Sequence, residues 1–509
     1  MENPGGNKTI AKNTVFLYIR MLITMIISLY TSRVILQILG IDDYGIYQAV
    51  GGIVGFLSFL NSALSGGTSR FLTFELGTGN MEKLKSTFST TLTVHILLAV
   101  LIVILAETVG LWYFNNKMVI PDERFSAATW VYHLSILTAI ITIISVPYNA
   151  AIIAHERMKV FAYIGIVDAV GRLGIVFMLN VGNLDKLILY AVLLMLFQLS
   201  IFLFYVIYCK KAFSEAKYKF LFIDRGLFKE IFSFSSWGLV AGSAIALNTQ
   251  GILLLLNYFF APAVVTARSI SLQVYNAANL FVTNFRTAVN PQIIKQLAAG
   301  DEEGSHRLLL ESTKFSYYLM LIICLPICLL ASPLLHLWLV DVPEYTVPFL
   351  QLVIIQSLFQ VFDTSFYTAL YAKGRIKENA LISPMISLLS FPVVFVLFKM
   401  GASPLALSWA SLIVFVIAGC FLKPLLIVKI ADYKWNEVFD VFWVCLRVTF
   451  IAIPVPVALY CVLGVDSIGS CAVILVASLV FVGISVWALG LTKSMRKQLI
   501  EAISNKILS

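Results

Sequence analysis

Charge is scarce in this sequence: only 12% of its 509 residues are Asp, Glu, Lys or Arg, against 60% hydrophobic, and the mean hydropathy is +0.92. That shortage excludes a soluble globular protein, whose core could not hide so much apolar surface. No stretch is polar enough for a separate soluble domain. The ten-residue alternation of a membrane β-barrel is also missing, because runs such as Leu187 to Tyr208 and Cys471 to Leu489 are apolar on every face. A phosphate-binding G-x-x-x-x-G-K-[ST] loop, H-E-x-x-H, G-x-S-x-G and any metal-spaced Cys/His set are absent, so an ATP motor, a zinc hydrolase and a serine hydrolase have no support. An enzyme is not expected, nor any cofactor. Cysteine is sparse too: Cys209, Cys324, Cys328, Cys420, Cys445, Cys461 and Cys471 lie in or beside apolar runs with no C-x-x-C pair, and read as small packing residues.

What is present is a succession of apolar windows of about 20 residues, the length that spans a hydrocarbon layer of about 30 Å as a helix. About fourteen such windows predict helices near 13–38, 45–68, 88–112, 127–153, 160–180, 187–209, 232–257, 262–289, 312–332, 346–371, 380–399, 403–428, 440–463 and 468–490. The first is too long for a signal-peptide core, contains Arg20 and has no cleavage pattern, so it is expected to stay as helix 1. About 26 of the 36 Lys and Arg fall in the termini and even-numbered loops, which predicts both termini cytoplasmic. The net charge of +9 is explained by those loops, leaving no case for nucleic acid. The longest basic loop, Lys210 to Lys229, separates two apolar halves; it reads as an orientation signal or as a patch attracted to anionic lipid headgroups.

The halves carry a weak repeat. A shift of 221 positions lays Gly40 to Thr91 on Ala261 to Ser312 without a gap, placing Leu76 on Leu297, Gly79 on Gly300 and Glu82 on Glu303. Both copies start from the same side of the membrane, so the expected relation is a parallel repeat with a central cleft that opens to either side by rocking.

An arginine in a lipid-facing helix centre costs at least about 2.5–3.5 kcal/mol, so arginines inside spans are expected to face protein or a wet cavity. Arg20 and Arg33 lie on helix 1, Arg70 at the end of helix 2, and Arg268 and Arg286 on helix 8, where about five turns and roughly 27 Å separate them along one face. Together they suggest a cationic passage for an anionic headgroup, since guanidinium forks bind phosphate oxygens bidentately. Snorkelling is the competing account for Arg20, Arg33 and Arg70. Arg172 stands one turn after Asp168, at the spacing of a neutralising pair. Asp168, Glu107 and Asp363 are candidate proton or sodium coupling groups; His95 and His133 are more ordinary packing histidines. Asn61, Asn248, Gln273 and Asn276, with Thr249, Gln250, Asn279 and Asn284, offer mixed donors and acceptors suited to sugar hydroxyls, or glue between helices. Gly51 with Gly55 and Gly238 with Gly242 suit close helix contact, and Pro326, Pro384 and Pro392 predict kinks.

The run Thr31-Ser32-Arg33-Val34-Ile35-Leu36-Gln37-Ile38-Leu39-Gly40-Ile41-Asp42-Asp43-Tyr44-Gly45-Ile46-Tyr47, followed by Ser69-Arg70-Phe71 and Leu76-Gly77-Thr78-Gly79-Asn80, resembles the opening of the Wzx-type polysaccharide flippases of the multidrug/oligosaccharidyl-lipid/polysaccharide exporter superfamily. Ala288-Val289-Asn290-Pro291-Gln292-Ile293-Ile294 and Ala372-Lys373-Gly374-Arg375-Ile376-Lys377 look like the same group. The resemblance implies an all-α fold of two pseudo-symmetric six-helix bundles, 1–209 and 232–430, joined by the basic linker 210–231 and followed by two further helices and a cytoplasmic tail in 431–509. It further implies a bacterial inner-membrane flippase that moves undecaprenyl-pyrophosphate-linked oligosaccharide outward by alternating access for O-antigen, capsule or exopolysaccharide synthesis. Membrane lipids, H+ or Na+, and polysaccharide polymerase machinery are the implied partners. Arg33 and Arg70 match positions where such families hold basic residues. Multidrug exporters of the superfamily often carry an acidic cation site in helix 1, where this chain has only basic charge. A cation-coupled multidrug exporter is the second expectation, and an integral-membrane polymerase or glycosyltransferase the third.

Overall fold

Backbone amides inside a hydrocarbon layer have no water to bond, so an apolar chain satisfies them within helices. A computed structural model describes residues 4–57, 59–180, 184–217, 224, 226–229, 243, 246–373 and 389–497, and of 4–20, 59, 62, 63, 66, 248, 288, 291 and 298 the backbone alone. Its long elements are helices throughout: α1 (Pro4–Leu39), α2 (Ile41–Leu57), α3 (Phe59–Thr78), α4 (Met81–Leu105), α5 (Leu111–Lys117), α6 (Phe125–Ala154), α7 (Met158–Met178), α8 (Lys186–Ala212), α9 (Ile252–Phe259), α10 (Pro262–Ala298), α11 (Glu302–Leu329), α12 (Ala331–Trp338), α13 (Thr346–Ala372), α14 (Leu389–Lys399), α15 (Ala406–Ile417), α16 (Lys423–Ile430), α17 (Trp435–Ala452), α18 (Pro454–Leu463) and α19 (Ile468–Ser485).

The protein is an all-α polytopic membrane protein. Among the described residues, 10 helical segments are long and apolar enough to cross a membrane, and each coincides with an expected span. The span expected near 45–68 is occupied by α2 and α3, the second of which runs on to Thr78. The one expected near 262–289 is the 37-residue α10, which continues to Ala298. Its polar stripe keeps it out of the apolar class, so hydropathy marks no clear end to it. Half of the expected span 232–257, with Gly238 and Gly242, and the region around Pro384 lie outside the described residues. Pro326 is carried inside α11, which ends three residues later.

The chain packs into two compact units, Met1–Ser269 with Leu339–Pro343, and Ile270–Trp338 with Glu344–Ser509. In the first, α6 is the central post: it packs against α2, α3, α4, α7 and α8, while α1 lies along α7. Ile46, Val50, Phe114, Val131 and Tyr132 form one buried cluster and Leu72, Phe88, Tyr148, Ile152 and Cys209 another. Close approaches tighten the unit: Gly45 lies against the Pro262 backbone where a Cβ would collide, and Thr266 donates its hydroxyl to the Ile41 carbonyl at 2.7 Å. One end of the unit is tied by Arg124, whose Nε and Nη2 donate to Asp43 (2.7 and 2.5 Å) and whose Nη1 donates to Asp185 (2.5 Å). Asp185 also caps α8, accepting from the Leu187 and Ile188 amides at 3.0 and 3.1 Å. Burial pushes the Asp43 carboxyl up despite Arg124; at Asp185 burial acts the same way, but Arg124 and the α8 amides outweigh it and hold the carboxyl below its usual range. Acid therefore takes Asp43 off Arg124 first and leaves the Asp185 arm.

In the second unit α11 packs against α13, α17 and α19, and α13 against α15. Lys373, at the end of α13, bonds Asp432 at 2.5 Å and approaches Glu302 at 3.7 Å, holding the Asp432 carboxyl below its ordinary value. The seven cysteines carry free thiols.

The repeat has a local structural counterpart. Gly79 and Gly300 both adopt left-handed backbone, φ +73° and +82°, and their amides donate to Leu76 and Leu297 at 3.2 and 3.1 Å. The next residues, Asn80 and Asp301, each cap the following helix by accepting from the third amide along, at Lys83 and Gly304. Two stretches of weak identity thus build the same turn at the same register. Valine at Gly79 or Gly300 is expected to lower stability by about 1–2 kcal/mol, because a side chain in left-handed backbone clashes with the following carbonyl. Alanine at Gly77, which has open space and ordinary backbone, is expected to change little. Thermal unfolding of the purified variants in detergent checks both.

Candidate functional site

The first unit contains a cavity of about 250 Å³ lined by α2, α3, α4, α6, α7 and α8. Its walls come from Val54, Ile102, Leu134, Ile143, Ala191 and Leu194, and its polar groups from Tyr47, Asn61, Ser135, Thr138, Thr142, Arg172 and Gln198. Gly51 opens onto it: an added Cβ there would have nothing within 4 Å. This revises the reading of Gly51 as a helix-contact residue, whereas Gly55 keeps that role: a Cβ added there would come within 3.2 Å of the Gln250 side chain.

Arg172 is the charged element of the cavity. Its Nε donates to both carboxylate oxygens of Asp168, one turn back on α7, at 3.1 Å each, and Nη2 reaches Gln198 Oε1 on α8 at 3.5 Å. The pair is internally neutral, yet only one edge of the guanidinium is engaged by the carboxylate, so the fork presents its terminal nitrogens to the cavity side. Tyr47 packs edge-on to Tyr190 with ring centroids 4.9 Å apart. The Thr138 and Thr142 hydroxyls donate to carbonyls one turn back, at 2.8 and 2.9 Å, which leaves their oxygens as acceptors. Asn61 Oδ1 has no hydrogen-bond partner among the described residues. Such a lining can meet hydroxyls and an anionic oxygen at once. At about 30 Å³ per water the cavity holds roughly eight waters, less than the 300–1,000 Å³ usual for a drug-sized ligand.

The structure therefore brings Asn61 together with the Arg172–Asp168 pair. The other candidates lie elsewhere. Arg20 is on α1 with its side chain outside the described residues, and Asn248 stands in the π-helical turn Leu247–Gly251 with the same status. Arg33 is half-buried on α1; Arg70 is exposed near the end of α3, its guanidinium 5.6 Å from the Phe71 ring centre. Arg268 is only 3% exposed. Arg286 donates to the Thr364 carbonyl and, at 3.0 Å, to the Thr368 hydroxyl. On α10 Gln273 is half-buried and Asn276 exposed, and the neighbouring Tyr275 hydroxyl donates to Gln360 at 2.5 Å.

Of the coupling candidates, Glu107 accepts from His133 Nδ1 at 3.1 Å on the outer surface of the first unit, Asp168 is held by Arg172, and Asp363 is met by Lys423 at 3.4 Å. His95 is buried with Nδ1 on the Thr91 carbonyl at 2.8 Å, a packing arrangement. A charged hollow of about 520 Å³ at the start of α11, around Asp301, His306, Arg307 and Glu437, has its charges mixed in sign. Tyr47, Gln198 and Lys423 were missed in the sequence. Gln198 and Lys423 each interrupt an apolar span; the criterion applied to the arginines finds Lys423, and the one applied to Asn61 finds Gln198.

Two glycines of the first unit give opposite expectations. Alanine at Gly51 is expected to stabilise by about 0.5–1 kcal/mol, the usual helix gain. Alanine at Gly171, whose Cβ would run into the Phe197 ring, is expected to destabilise by about 1–3 kcal/mol. Leucine at Gly51 should keep the fold and fill the cavity, which ligand binding and thermal unfolding of the same preparation separate.

No family model matches the chain, and no curated protein matches it. Solved structures do. A multidrug resistance MATE family transporter of the MOP superfamily, inward-facing, is similar at TM-score 0.69 and 13% identity over 83% of this chain and 99% of that one. The lipid II flippase MurJ, in an inward closed conformation, is similar at TM-score 0.68 and 13% identity over 92% of this chain and 97% of that one. A MOP superfamily transporter from Pyrococcus furiosus, described as having a binding pocket of reverse polarity, is similar at TM-score 0.60 and 14% identity over 83% of this chain and 97% of that one. With these similarities and the helical architecture above, the chain has the fold of the MOP superfamily transporters.

Proposed function

We propose that the protein is a transporter of the flippase type, moving a lipid-linked oligosaccharide, undecaprenyl-pyrophosphate-linked, from the cytoplasmic to the outer leaflet of a bacterial inner membrane. The observation that carries this reading is the sign of the charge inside the spans. Arg33, Arg172, Arg268, Arg286 and Lys423 outnumber Asp168, Glu107 and Asp363, and each of these three carboxylates already has a basic partner. A polar interior with surplus guanidinium suits a pyrophosphate and repels a cationic drug. The small hydroxyl-lined cavity suits a sugar-sized polar group better than a bulky amphiphile. Likeness to a lipid II flippase over 92% of the chain is in keeping with it.

Energetically the reading is sufficient without a coupling ion. A pyrophosphate of about two negative charges leaving a negative interior gains about 2.3 kcal/mol per charge per 100 mV, close to 7 kcal/mol at roughly 150 mV. A cation-coupled multidrug exporter is the second reading, favoured by likeness to MATE family transporters.

Reconstitution separates the two. Vesicles carrying the protein are expected to flip a lipid-linked oligosaccharide, and Arg268→Gln with Arg286→Gln is expected to lower the rate by about 10–100-fold, the loss of one or two charge-assisted hydrogen bonds. Size-exclusion profiles show whether the fold survives. Full activity in the double variant would contradict the role of these arginines, and drug resistance on overexpression would favour the second reading.

A further inference from the structure

Lys423 is 1% exposed, an extreme position for an ammonium inside a membrane span. The backbone places it there. α15 ends in the π-helical turn Ala418–Leu422, whose extra residue per turn re-aims the side chains of α16. Gly419 lets that turn lie directly on α13: a Cβ would run into the Phe359 carbonyl and come 3.4 Å from the Asp363 amide. Lys423 then opens α16, with Pro424 supplying a helix start that needs no amide bond. The ammonium ends 3.4 Å from Asp363 Oδ1 and 5.5 Å from the centre of the Tyr367 ring, a carboxylate and an aromatic face on the same helix. Arg286 reaches that helix as well, through the Thr364 carbonyl and the Thr368 hydroxyl, and lies within electrostatic range of the Asp363 carboxylate, so two cations act on a single carboxylate.

We propose that Lys423 is a tethered cation that neutralises Asp363, so that neither sodium nor another free cation is taken up there. An ammonium and a sodium ion are alternative partners of a carboxylate, with the same charge. A free ion entering beside Lys423 and Arg286 would set three positive charges against one negative in a medium of low dielectric, where their repulsion is little screened. The π-helical turn and Gly419 are the local devices that keep the ammonium in place as the span packs. The inference rests on the transporter reading only for its consequence, namely that export in this protein draws on no sodium gradient through Asp363; ion binding itself is measured without any transported substrate.

The test is thermal unfolding of the full-length protein in detergent, comparing sodium chloride with potassium and choline chloride at constant ionic strength. Wild type and Lys423→Arg are expected to show no sodium-specific shift. Lys423→Ala is expected to gain a saturable rise in Tm of about 1–2 °C near 100 mM sodium, and Lys423→Ala with Asp363→Asn to lose it. A sodium-specific shift in wild type that Asp363→Asn removes would overturn the proposal, and that arm needs no Lys423 variant. A folded Lys423→Ala protein indifferent to sodium would overturn it too. Neither outcome bears on flipping of lipid-linked oligosaccharide, so the two proposals fail separately.

Discussion

The structure depends on one constraint: a charge inside a hydrocarbon layer must find a counter-charge, a dipole or water. Everything distinctive in the described spans answers to it. Arg172 is met by Asp168 and Gln198, Asp363 by Lys423, Glu107 by His133, and Arg286 by a backbone carbonyl and a threonine hydroxyl. Where pairing is incomplete, as at Arg172, a cavity with room for water adjoins the group. The balance of signs that results is basic, and the proposed preference for an anionic substrate follows from that balance.

The two units solve the constraint differently. The first places its ion pair on successive turns of one helix, so the carboxylate and guanidinium move together and leave a fork edge exposed to a polar cavity. The second joins carboxylate and ammonium across two helices, using a π-helical turn and a glycine to bring the backbones together.

Much of this was legible from residues alone, because the signals were physical. Windows of about 20 apolar residues set the helices, and the i, i+4 spacing of Asp168 and Arg172 set their pairing. The Gly79-Asn80 and Gly300-Asp301 turns were found by register and proved to share φ sign, amide bonds and caps. What stayed hidden was tertiary. Nothing in Gly51 distinguishes a glycine that opens a cavity from one that admits a neighbouring helix, and Gly55, one turn on, does the latter. The partner of Asp363 lies 60 positions along the chain, beyond any local spacing rule. α10 extends past its expected end because its polar stripe gives hydropathy no edge to detect.

The central claim, that basic groups inside the spans carry an anionic substrate, is tested most directly by flipping under an imposed voltage. In proteoliposomes with a potassium diffusion potential, the rate for a pyrophosphate-linked lipid should rise with a potential negative on the side of departure, and an uncharged lipid-linked sugar should not be moved. Flipping that ignores the voltage and accepts the uncharged lipid equally would contradict the account.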